Sequence, residues 1–191
     1  MPAPTVHGFA EKVALVVNGA EGVGRAVALQ LALQGCYVIV SYHESSTSQL
    51  DALAELKSLG TLANAFEFSD ARTLIGEVDN LFGRLDLLIN CVKSGTDSKF
   101  QIETMTGAAC ELMKNRPKPS IVNVISEGQE VFFAGDLPAN FRQNCVVSKE
   151  KKAVIEHELF SVNNFDDVAR VVLFFLSSEA RALNQQVLFV N

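Results

Sequence analysis

Residues 12–42 read KVALVVNGAEGVGRAVALQLALQGCYVIVSY. The run VALVV at 13–17 is apolar at every position, as suits a strand covered on both faces. NGAEGVG, Asn18 to Gly24, follows with glycine at Gly19, Gly22 and Gly24. Glycine at such a turn lets the backbone bend tightly and approach an anion with no Cβ in the way. A helical pattern over 22–34 then closes on Gly35, the residue type expected at a left-handed C-cap. CYVIVSY at 36–42 supplies a second strand. In a strand–turn–helix–strand unit the helix N-terminus offers unpaired N–H groups and a positive dipole end, which suit a pyrophosphate. The stretch therefore predicts dinucleotide binding at Asn18, Gly19, Gly22, Val23 and Gly24.

The alternation continues outward from this unit. Further strands are predicted near 62–68, 85–91, 119–126, 140–147 and 186–190, and helices near 48–59, 70–82, 98–115, 149–160 and 166–178. Asp70 is placed to cap the third helix, Pro117 and Pro119 end the fourth, and Asp166 and Asp167 suit the dipole of the last. The fold class is α/β: one doubly wound Rossmann-like domain over residues 1–191, with a mostly parallel sheet of about six or seven strands.

Composition narrows the function. A net charge of −6 and a pI near 5.1 argue against nucleic acid or an anionic membrane as partner. No apolar run is long enough to span a bilayer, and the first residues lack the basic start and apolar middle of a signal peptide. Cys36, Cys91, Cys110 and Cys145 show no metal-ligand spacing. They read as reduced thiols of a cytoplasmic protein without a metal site.

With these residues in view, the chain resembles the short-chain dehydrogenase/reductase family. That family's turn reads TGxxxGxG; here NGAEGVG is one residue shorter, with Asn18 in the threonine place. FGRLDLLIN at 82–90 resembles the fourth strand and the start of the family's NNAG motif, with Asn90 as its first Asn. Cys91, Val92 and Lys93 replace the rest, so Lys93 stands where a glycine lets the cofactor pass. SIVNVIS at 120–126 resembles the fifth strand, and Ser126 falls at the catalytic serine. FRQNCVV at 141–147 and residues 165–191 resemble the sixth strand and the C-terminal helix and strand. The resemblance implies NAD or NADP, bound weakly if at all. Ser41-Tyr42-His43 ends the second strand without the acid that favours NAD, leaving His43 available to a 2′-phosphate.

The family's proton relay is a tyrosine followed four residues later by a lysine. This sequence has two tyrosines, Tyr37 and Tyr42, both in the second strand, and no Tyr-x-x-x-Lys. Ala139 stands where the tyrosine is expected. EGQEVFFAGDLPA at 127–139 carries Gly128, Gly135 and Pro138 and no helical period, so the helix that bears the pair is expected to be replaced by a loop. The uncovered sheet face is expected to be screened by an amphipathic helix at 149–160 or by a partner chain. Glu150, Glu156, His157 and Glu158 are expected on the solvent side of that helix.

Three functions follow. One is an NAD(P)-binding sensor or regulatory subunit without standard reductase activity. A second is an oxidoreductase using Ser126 and a non-standard proton donor, with Cys145 one candidate for the donor. A third is a cofactor-free interaction partner. Val171 to Leu176 are apolar all round, so a homo-oligomer through 165–191 is expected, with Phe175 at the contact.

Overall fold

The computed structural model describes residues 8–43, 47–93, 95–149, 151–155, 158–162 and 165–190. Strands β1 (Val13–Val17), β2 (Tyr37–Tyr42), β3 (Ala63–Glu67), β4 (Leu87–Cys91), β5 (Ser120–Ser126) and β6 (Arg142–Ser148) alternate with helices α1 (Gly22–Leu33), α2 (Thr47–Ser58), α3 (Ala71–Phe82) and α4 (Ser98–Met113). A ribbon, β7 (Lys151–Ile155) and β8 (Glu158–Val162), precedes α5 (Phe165–Leu176) and β9 (Val187–Val190). The main sheet has seven strands in the order β3-β2-β1-β4-β5-β6-β9. All of its pairings are parallel.

Burial on both faces explains the continuous apolar runs. Every residue of β1 and of β4 is buried. Val16, Ile89 and Val122 pack on one face with Val27 and Leu31 of α1 and Val172 and Phe175 of α5. Leu15, Leu88 and Ile121 pack on the other with Leu74 and Val78 of α3 and Met105 and Met113 of α4. The predicted boundaries of α3 and α5 have visible causes. The Asp70 side chain accepts from the Thr73 N–H, and Gly83 closes α3 in the left-handed conformation. The Arg142 guanidinium donates to the carbonyls of Leu176, Ser177 and Ala180 at the end of α5.

The connection from β5 to β6 contains no helix. It descends beside α4: Ser98 Oγ at the start of α4 donates to the Glu130 carbonyl at 2.9 Å, and Asn140 Nδ2 donates to the Arg116 carbonyl beyond its end at 3.0 Å. Phe132 and Phe133 pack on Val92, Ile102, Ile125, Cys145 and Val147. Phe141 and Leu137 join the α3–α4 core. The loop therefore packs on the face itself, which corrects the expectation that a separate helix would screen it. The expected helix at 149–160 is also corrected: its described residues form the antiparallel ribbon β7–β8. Glu150, Glu156 and His157 lie outside the described residues. Phe175 is 1% exposed and belongs to the core, so the outward aromatics of this region are Phe174 and Phe189.

A polar chain holds the loop. Asn90 Nδ2 donates to Asn123 Oδ1 at 3.0 Å, and Asn123 Nδ2 donates to the Phe132 carbonyl at 3.2 Å. Both asparagines are fully buried, so each bond replaces water that neither can reach. Asn123→Ala strands a buried donor on Asn90 and frees the loop at Phe132. It is expected to lower unfolding free energy by about 2–3 kcal/mol in urea titrations. A change under about 0.5 kcal/mol would contradict this role.

Candidate functional site

The glycine turn is built from its own packing before any ligand is considered. Asn18 adopts φ 57°, a left-handed conformation asparagine tolerates. Its backbone N–H donates to Ser41 Oγ at 3.0 Å, and its Nδ2 donates to the Cys91 carbonyl at 2.6 Å. The turn is thereby tied to β2 and β4 at once. A Cβ at Gly24 would lie 2.2 Å from the Asn18 carbonyl oxygen, and one at Gly19 would lie 2.7 Å from Val40 Cγ1. Gly22 adopts φ 54°, in the left-handed region that favours glycine, so the fold alone accounts for all three glycines.

These elements converge on a cleft of about 410 Å³ at the C-terminal ends of the strands. It opens between β1 and β4, where the strand order reverses, the position at which doubly wound sheets bind ligands. One wall is the start of α1, where Gly22, Val23 and Gly24 carry N–H groups with no intrahelical acceptor. The first turn of α1 has no acidic residue, and Glu21 at its N-cap makes no side-chain capping bond. Instead Glu21 Oε1 pairs with Lys93 Nζ at 2.7 Å. Asn18 Oδ1 is buried and has no hydrogen-bond partner among the described residues. A free helix N-terminus, an adjacent lysine and a spare buried acceptor fit an anionic, hydrogen-bonding ligand such as a dinucleotide.

The opposite wall carries Ser126 at the end of β5 and Ser148 at the end of β6, directly paired in register. Gln129 fixes this wall: its Oε1 accepts from the Ser126 N–H at 2.8 Å, and its Nε2 donates to the Lys93 carbonyl at 3.1 Å. Lys149 lies outside the lining and pairs with Glu127 at 3.3 Å. The lining includes Lys93 as its lysine and no tyrosine; Tyr37 instead stacks on Phe82 at 5.8 Å. Burial pushes the thiols of Cys91 and Cys145 up to about 12, so neither is a thiolate at neutral pH.

Of the residues singled out from sequence, Asn18, Gly22, Val23, Gly24 and Ser126 line this cleft. Gly19 sits behind it against Val40. Asn90 is fully buried and bonded to Asn123. His43 is exposed, its ring 4.9 Å from that of Phe68, and it is not among the lining residues. Sequence reasoning missed Glu21, Ser148 and Phe165. The first lies inside the quoted turn and was passed over as a spacer; the other two come from β6 and α5, whose places depend on tertiary pairing.

Residues 12–106 match the family described as short chain dehydrogenase. Over that segment the chain is similar to the short chain dehydrogenase family. Tetrahydroxynaphthalene reductase of Pyricularia oryzae is 34% identical over 100 residues, covering 50% of this chain and 35% of that protein. The chain thus spans about a third of the length of the curated relatives it matches. In fold it is similar to a short chain dehydrogenase of Burkholderia cenocepacia solved in complex with NADP, with TM-score 0.80 and 22% identity over 96% of this chain and 97% of the other. It is similar also to an NADH-dependent reductase complexed with NAD, with TM-score 0.75 and 18% identity over 96% of both chains.

Cysteine reactivity tests the packing around the cleft. Cys36, Cys91 and Cys145 are buried with thiols pushed up to about 12, whereas Cys110 on α4 is only partly buried. At pH 8 a disulfide reagent is expected to modify Cys110 first and to reach the other three only after unfolding. Raising the pH through 9, where an unfolded cysteine ionises, leaves the three protected, because their native thiols stay protonated well above it. Fast labelling of Cys91 in the native protein, located by mass spectrometry, would show the cleft floor open to solvent.

Proposed function

We propose that this chain binds NAD or NADP in the switch-point cleft and has no standard reductase activity, serving as a sensor or regulatory subunit. The carrying observation is a cleft that joins a free helix N-terminus to a wall of two serines, with no tyrosine–lysine pair in its lining. A phenol near its ordinary pKa of about 10 needs a neighbouring cation to exchange protons at neutral pH; the lining has no phenol, and its lysine, Lys93, pairs with Glu21. Gly22, Val23 and Gly24 would hold the pyrophosphate by backbone N–H groups. Asn18 would accept from a ribose or amide group, and Lys93 would supply the cation. When bound, a nicotinamide accepts or donates hydride; Ser126 and Ser148 would orient a carbonyl without moving a proton. Ser41-Tyr42-His43, which ends β2, carries no acid, which leaves room for a 2′-phosphate.

Similarity to reductases supports a second reading, turnover through Ser126 and an unassigned donor. It differs in one measurable respect: NADPH oxidation with a carbonyl compound that Ser126→Ala abolishes. We also infer a cytoplasmic homo-oligomer. Three buried free cysteines suit a reducing compartment, and Phe174, Val187, Leu188 and Phe189 expose apolar surface on α5 and the edge strand β9. Phe189→Glu is expected to shift the sedimentation coefficient to that of a monomer; a monomeric wild type would remove this inference.

Calorimetry with NAD, NADH, NADP and NADPH tests the main reading. One of them is expected to bind with a dissociation constant of about 100 µM or tighter, with no oxidation of NADPH across a panel of ketones and aldehydes. Glu21→Gln removes a carboxylate from the anion's place and is expected to tighten binding about two- to fivefold, while Lys93→Ala weakens it by a similar factor. Absence of binding at millimolar concentrations leaves the interaction-partner reading in its place.

A further inference from the structure

A second recess lies at the opposite end of the sheet, where β1, β4 and β5 begin, and the dinucleotide reading makes no use of it. Its volume is about 330 Å³. Four cations, Lys12, Arg84, Arg116 and Lys118, line it with two carboxylates, Glu11 and Asp86. That excess of positive charge stands on a chain whose net charge is −6.

One buried carboxylate organises the group. The Asp86 side chain is 9% exposed, and both of its oxygens are engaged. Oδ2 accepts from the Val13 N–H at 2.9 Å, and Oδ1 accepts from Arg116 Nε at 2.6 Å. Arg84 Nε lies 3.8 Å from Oδ2, while its Nη2 donates to the Glu11 carbonyl. A single Asp86 thus orients two guanidinium groups and neutralises one charge. Lys12 Nζ stands 5.5 Å from the centroid of the Phe9 ring and has no carboxylate within ion-pair distance among the described residues. Burial holds the Lys12 pKa below its ordinary value; Arg142 and Lys118 add to the lowering, and Cys36 and Asp86 oppose it.

The backbone that carries these groups is fixed. Asn140 Nδ2 donates to the Arg116 carbonyl at 3.0 Å, and the Glu11 N–H donates to the Gly35 carbonyl at 2.9 Å. Four cations are therefore held in place against two carboxylates. The Arg116 and Arg84 forks retain N–H groups suited to paired oxygens, and the two lysines add compact charges on either side. Against Glu11 and Asp86 the four cations leave a net charge of two, spread over two guanidinium forks and two ammonium groups, more donor groups than a single phosphate engages. We propose that this recess binds a small ligand carrying two adjacent phosphoryl groups, with Lys12, Arg84, Arg116 and Lys118 as its cations.

Amide NMR of the full chain, titrated with inorganic pyrophosphate and separately with orthophosphate at constant ionic strength, tests this. Pyrophosphate is expected to shift the amides of Lys12, Arg84, Asp86 and Lys118 saturably, at least about tenfold more tightly than orthophosphate. The double variant Lys12→Gln, Lys118→Gln is expected to weaken this binding at least about tenfold, whereas Lys93→Ala in the other cleft leaves it unchanged. Lys118 is exposed, so Lys118→Gln alone carries the comparison if the double variant fails to fold. Shifts confined to Gly22, Gly24 and Lys93 would overturn the proposal. So would equal weak responses to both anions, or an unaltered affinity in the lysine variants.

Discussion

Two parallel strands side by side cannot be joined by a tight turn; the chain must return along the sheet before the second can begin. The rest of this structure depends on how that constraint is met between β5 and β6, which pair over the full length of both strands. The return path is an extended loop. A strand of seven residues is roughly 20 Å long, well within reach of an extended segment over 127–141. What a helix would contribute in buried surface is contributed here by Phe132, Phe133, Leu137 and Phe141. What it would contribute in backbone satisfaction comes partly from Ser98, Asn123 and Asn140. The same substitution leaves the cleft wall with Ser126, Ser148 and Gln129 and, among the described residues, without a phenol or second lysine.

Much of this was legible beforehand. The seven strands of the main sheet and five helices fall where apolar runs and the 3.6 period put them; burial on both faces explains the continuous runs of β1 and β4, while the edge strand β9 is apolar yet exposed. Gly128, Gly135 and Pro138 correctly denied a helix to 127–139. What could not be read was who covers the exposed face. Two adjacent phenylalanines in a polar loop give no period, and their role appears only when α4 lies beside them. KEKKAVIEHELF misled for a related reason. Its charges recur at helical spacing, while KKAVI and ELFSV equally suit short strands, and local pattern alone does not decide between them.

The candidate site was legible as a turn and opaque as a surface. Glycine spacing located Gly22, Val23 and Gly24 in the cleft, yet the reason Gly19 and Gly24 must be glycine is contact with Val40 and the Asn18 carbonyl. Asn18 does more than its place in the motif suggests, since it ties the turn to both neighbouring strands. Asn90 was read as a cofactor residue from its motif position; its amide instead lies in the buried chain that ends at Phe132. Glu21 and Lys93 stand far apart in sequence and meet only because β1 and β4 are neighbours.

The account's central claim is that the β5–β6 crossing is complete without a helix. Amide hydrogen exchange across 127–141, followed residue by residue, tests it most directly. The account predicts strong protection throughout β5 and β6, with fast exchange through 127–140 broken only at isolated bonded amides such as those of Glu127 and Gln129. A contiguous block of protected amides with helical shifts between 128 and 139 would contradict it, and with it the reading of the cleft as one without a proton relay.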